Sequence, residues 1–136
     1  MKTRPIAVVQ PVAVERKLSD MTKFEKFIAV LDMNIASLEK DFTKFAHELA
    51  ADPAYALAWS NDKFAQAGEL AISQWTRVKL IEGNSSPAQL VEYMTEQVMN
   101  AAKYPKQSTS QPSNMMEHSR TAAMVVMIEK LQRLVD

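Results

Sequence analysis

The chain has 136 residues, 47% of them hydrophobic, with no cysteine, two glycines and six prolines. That length fits one domain, and the apolar share is too high for a disordered segment. Sixteen basic residues balance sixteen acidic ones, so no whole-molecule field draws the protein toward nucleic acid or membrane, and any such binding has to be local. Without cysteine, disulfides, thiolate metal sites, iron–sulfur ligation and cysteine nucleophiles are excluded, and a reducing cytoplasm is the expected compartment. Two glycines leave little material for phosphate-cradling loops or a dinucleotide fingerprint. The expected class is all-α: a small bundle of four main helices with a long antiparallel helical hairpin and an extended N-terminal arm.

Residues 1–18 are the expected arm. Pro5 and Pro11 lack amide donors and push their predecessors toward extended geometry. In an extended chain Ile6, Val8, Val12 and Val14 share one edge, as in an arm docked on a neighbouring subunit; a frayed terminus is the plainer alternative. The apolar run is too short for a secretory signal, and no stretch approaches the ~18 apolar residues of a membrane span.

Residues 19–136 read as a single helical-bundle domain. Thr22 with Glu25 forms a capping box that starts a helix. Phe24, Ile28, Leu31, Ile35, Leu38, Phe42, Phe45 and Leu49 then alternate spacings of four and three, a heptad seam. A rod over 22–51 would run about 45 Å. Glu25, Asp32 and Glu39 flank the seam on one side, and Asn34, Asp41 and Glu48 on the other. A parallel homodimer would oppose acid to acid, so the expected partner is an antiparallel helix of the same chain.

Asp52 and Pro53 stop this helix and start another. Tyr55, Leu57 and Trp59 fit a short helical turn, after which Ser60, Asn61 or Asp62 caps a helix reaching about residue 82. Its expected face is Phe64, Ala71, Trp75 and Val78, with Ala65, Ala67, Gly68 and Ala71 small enough for close approach of a neighbour. Gly83 and Asn84 are placed to end it with a left-handed cap. Ser86 and Pro87 open a third helix to about residue 104, with Leu90, Val91, Met94, Val98 and Ala102 as its stripe.

Residues 105–113, PKQSTSQPS, hold no apolar side chain besides proline and are expected to be a flexible loop. Asn114 with Glu117 is then the expected capping pair of the last helix. This helix carries Met124, Ile128, Leu131 and Val135 on one face, with Met116, Ala123, Met127 and Leu134 beside it. A stripe this wide is either buried against more than one neighbour or covers an oligomer interface.

Residues able to do chemistry are sparse. His47 and His118 each adjoin a glutamate, but neighbours in sequence point about 100° apart on a helix, and neither histidine recurs at i+3 or i+4 as metal chelation needs. Ser108, Thr109 and Ser110 lie in the expected loop, away from a held base. The Glu-x-x-His pattern of a bundle di-metal site is missing, so the acids of the first helix read as a charged flank. No enzyme activity, cofactor, metal or small-molecule substrate is expected.

Local surface features point to binding. Trp75, Arg77 and Lys79 place an aromatic and two cations within five residues. Arg120, Lys130 and Arg133 form a second basic set, and Lys2, Arg4, Arg16 and Lys17 make the arm basic. Contact with a phosphate backbone fits these residues, although cations near a helix C-terminus also complement the macrodipole. The methionines Met115 and Met116 follow the loop directly and, with Met127, Leu134 and the arm's Ile6, Val8, Val12 and Val14, make up the expected partner interface.

The last helix, through Ser119, Arg120, Met124, Ile128 and Lys130, resembles the closing helix of the small all-helical subunits of CRISPR effector complexes. The resemblance implies a filament-forming subunit that steers a nucleic-acid strand; small helical phage assembly and inhibitor proteins share the same general composition. The reading favoured by the residues is a non-catalytic interaction or assembly subunit of a larger complex, by partner protein or homo-oligomer. A nucleic-acid-binding accessory subunit is the alternative, and an enzyme ranks third.

Overall fold

Two capping boxes set the start of two helices. The Thr22 amide donates to Glu25 Oε1 at 3.0 Å while the Glu25 amide donates to Thr22 Oγ1 at 3.1 Å. Ser86 and Gln89 repeat this reciprocal pair at 2.9 and 3.1 Å, with Pro87 in the first turn where its missing donor costs nothing. The computed structural model describes residues 21–57, 60–104 and 111–135. Within them the chain forms α1 (Lys23–Ala51), the one-turn α2 (Pro53–Leu57), α3 (Ser60–Ile81), α4 (Pro87–Lys103) and α5 (Gln111–Val135). The architecture is an all-α bundle with no strand among the described residues. The expected arm, with Ile6, Val8, Val12 and Val14, lies outside the described residues, as do Trp59 and the 105–110 part of the expected loop.

Side-chain pairs fix the directions. Along α3, Lys63 meets Phe42 and Phe45, Gln74 meets Glu39, and Arg77 meets Asp32, so α1 and α3 form the antiparallel hairpin. The last turns of α4 share a cleft with the first turns of α5, and the start of α1 shares one with the end of α5. The four long helices therefore alternate in direction. The core joins Leu31 of α1, Ile72 and Leu80 of α3, Leu90 and Met94 of α4, and Met127 and Leu131 of α5. Helix α5 packs most extensively of all, against α3 and α4. The wide apolar stripe of the last helix is thus accounted for mainly by two neighbours inside the chain.

Gly68 sets how closely α3 and α5 approach. A Cβ added there would lie 2.6 Å from both the carbonyl carbon and Cβ of Ser119, and 2.7 Å from its carbonyl oxygen. Carbon atoms in contact normally stay about 3.5–4.0 Å apart. The two helices therefore run side by side with backbone nearly touching backbone.

The structure corrects several local expectations. The buried line of α3 is Gly68, Ile72, Ser73, Thr76 and Leu80, so Phe64, Ala71 and Trp75 are half-buried and Val78 is 45% exposed. The line turns toward α5 because Gly68 must face Ser119. The buried Thr76 hydroxyl is satisfied by donating to the Ile72 carbonyl at 2.7 Å. At the end of α3 Asn84, one of the two residues expected there, is left-handed with φ 53°, while Gly83 is not. Helix α5 starts at Gln111, so Asn114 lies inside the first turns and is not the cap. Of the eight seam residues only Leu31 and Leu38 are buried, and Phe24 is exposed.

Two substitutions check this packing by urea denaturation. Leu131→Ala, at a fully buried position, is expected to lower stability by about 2–5 kcal/mol. Gly68→Ala should destabilise by about 1–3 kcal/mol through overpacking, although alanine is the better helix former. Stabilisation by Gly68→Ala would show that the two helices are further apart.

Candidate functional site

The described basic residues singled out in the sequence separate: Arg77 and Lys79 stand near Trp75, Lys130 and Arg133 line a groove, and Arg120 lies apart from both. Around Trp75, the ring stacks on Tyr93 of α4 with centroids 5.3 Å apart and planes 25° from parallel. Lys79 Nζ lies 5.8 Å from the Trp75 centroid, one turn on in α3. Arg77 reaches across to α1, where its Nε donates to Asp32 Oδ1 at 2.5 Å. That hydrogen bond and the carboxylate's charge raise the Arg77 pKa further above its ordinary value. Trp75 therefore already has an aromatic partner, and Arg77 an acid. Trp75 and Arg77 join α3 to its neighbours, while Lys79 lies over Trp75 of its own helix.

The second group converges on an open groove. Lys23, Lys26, Phe27, Val30, Leu31 and Asn34 of α1 face Lys130, Arg133 and Leu134 of α5 across about 430 Å³. Phe27, Val30, Leu31 and Leu134 form an apolar floor, and the four cations stand around it. Lys23, Lys26 and Arg133 are exposed and Lys130 is half-buried; none of the four pairs with an acid among the described residues. Val30 is 48% exposed there. The arrangement follows from sequence: α1 carries its lysines one and two positions away from seam-side residues, and α5 ends with its cations beside Leu131 and Leu134. The volume falls in the ~300–1,000 Å³ range of binding clefts.

The other expected contact residues are dispersed. Arg120 lines a different cleft, of about 400 Å³, with His118, Glu117, Gln97, Asn100 and Tyr104. No hydrogen bond joins His118 to Glu117 or Arg120 among the described residues, so the cleft holds no assembled acid–base pair. His47 is exposed far along α1. Met115 and Met116 are half-buried, Leu134 packs half-buried against the core, and Met127 is a core residue at 4% exposure. Met127 therefore presents no free surface to a partner. No group of three metal-ligating side chains occurs among the described residues, and no helix there is long and apolar enough to cross a membrane.

Lys23 and Lys26 were not among the residues the sequence marked out; their place beside Lys130 and Arg133 becomes visible only when α1 is set antiparallel to α5. Comparison with protein families, with curated proteins and with solved structures finds no match.

The Arg77–Asp32 pair is partly exposed, with side chains 38% and 44% accessible, which keeps its worth small. Arg77→Ala is expected to cost less than about 1 kcal/mol in thermal or urea unfolding. A larger loss would mean that the pair sets the position of α1.

Proposed function

We propose that the protein is a non-catalytic helical subunit that binds a partner protein within a larger complex. The observation supporting this is the groove between α1 and α5, where Phe27, Val30 and Leu134 leave apolar surface open between two helices. Such surface is favourable to cover, at about 25 cal/mol per Å² of apolar area, and a trough between two helices suits a third. The four cations around it also keep a nucleic-acid accessory role as a second reading, since they could neutralise phosphates. The apolar floor favours protein, because a phosphate backbone gains nothing from Phe27, Val30 and Leu134.

The test is recovery of the tagged chain from its native host, followed by mass measurement of the intact complex. The unmodified chain and Met99→Asp, altered on the exposed side of α4, should come out with one partner in fixed stoichiometry. Val30→Asp should come out alone. A partner held equally by all three, or by none, would place the interaction elsewhere or remove it.

A further inference from the structure

We infer that the groove between α1 and α5 receives an acidic amphipathic helix of the partner, its apolar stripe on Phe27, Val30 and Leu134 and its carboxylates toward Lys23, Lys26, Lys130 and Arg133. This rests on the interaction reading above and adds the chemistry of the partner.

Arg133 and Lys130 sit near the C-terminal end of α5, where cations complement the negative end of the macrodipole and so stabilise their own helix. Lys23 and Lys26 have no such reason. They occupy the first turn of α1, the positive end, where a cation is unfavourable and where Glu25 alone fits the local field. The antiparallel arrangement then brings all four to one trough, although the whole chain is neutral. Like charges gathered around a low-dielectric apolar floor repel one another, and an acidic occupant relieves that repulsion while covering the floor.

The same charges select among occupants. The chain's own residues 1–20 carry Lys2, Arg4, Arg16 and Lys17 against Glu15 and Asp20, so they bring like charge to the groove. A nucleic acid would match the cations but leave the floor uncovered. A helix with leucines at i, i+3, i+4 and i+7 and glutamates beside them matches both.

The experiment uses the full chain and two designed helical peptides of about 15 residues, identical in their leucine stripe, one flanked by glutamates and the other by lysines. Binding is read by peptide fluorescence anisotropy at low salt. The glutamate peptide should bind at least tenfold more tightly than the lysine peptide, and the gap should close as salt rises toward 0.5 M. Lys26→Glu/Lys130→Glu/Arg133→Glu should invert the preference. Lys26→Gln/Arg133→Gln, both at exposed positions, should reduce the glutamate peptide's affinity by about five- to tenfold with helix content unchanged.

Equal binding of the two peptides would overturn the assignment. So would displacement of the glutamate peptide by a short single-stranded oligonucleotide, or self-association of the chain abolished by Val30→Asp, since these make the occupant a phosphate backbone or a second copy. If the acidic preference fails while Val30→Asp still releases the native partner, the interaction subunit stands and only the partner's chemistry falls.

Discussion

The packing of α5 in this bundle depends on how closely it approaches α3 at Gly68 and Ser119. A helix pair ordinarily packs with axes about 8–10 Å apart, the side chains between them setting the distance. Here one side of the contact has no side chain, and the backbone of Ser119 fills the space that a Cβ would need. With α5 drawn against α3 on one side and α4 on the other, its Met127 and Leu131 become the centre of the core. Helix α1 packs mainly on α3 among the long helices and shares a groove with the end of α5 near its own start.

Much of the architecture was legible in the sequence because it depends on local chemistry. The capping boxes, the Asp52–Pro53 break and the stripe of Leu90 and Met94 are set by neighbours a few residues away, which periodicity and propensity register directly. The small residues Ala65, Ala67, Gly68 and Ala71 correctly marked a close approach. What the pattern could not give was which of them faces inward, because that depends on where Ser119 lies in the folded chain. The face of α3 was consequently displaced, with Val78 outside and Ile72 inside. The start of α5 was misplaced for a different reason. A first turn needs no apolar residue and leaves its amides without intrahelical partners, so Pro112 and the polar run before it are compatible with helix as well as loop.

The heptad seam of α1 illustrates the limit of reading one helix alone. Its regularity predicted a buried stripe, yet burial is complete only at Leu31 and Leu38. Phe42 and Phe45 are partly covered by Lys63, whose ammonium stands 6.0 and 5.4 Å from their ring centres. The acids that flank the seam also turn out to have partners: Asp32 holds Arg77 and Glu39 accepts from Gln74. Charge balance within the hairpin therefore consumes some acids of α1, while the lysines at its start remain unpaired among the described residues beside those of α5. The candidate site was only half visible beforehand, as Lys130, Arg133 and Leu134, because its other half lies about a hundred residues away in the chain.

The central claim, that this groove is where a partner sits, is tested most directly by photo-crosslinking in the native host with a benzophenone amino acid at position 30, against the same group at position 99. Both positions are open to solvent, at 48% and 64% exposure, and they lie on different helices. The account predicts one protein adduct from position 30, mapping to a glutamate- or aspartate-rich helical segment, and none from position 99. Adducts from position 99 alone, or a crosslink from position 30 to nucleic acid, would contradict it.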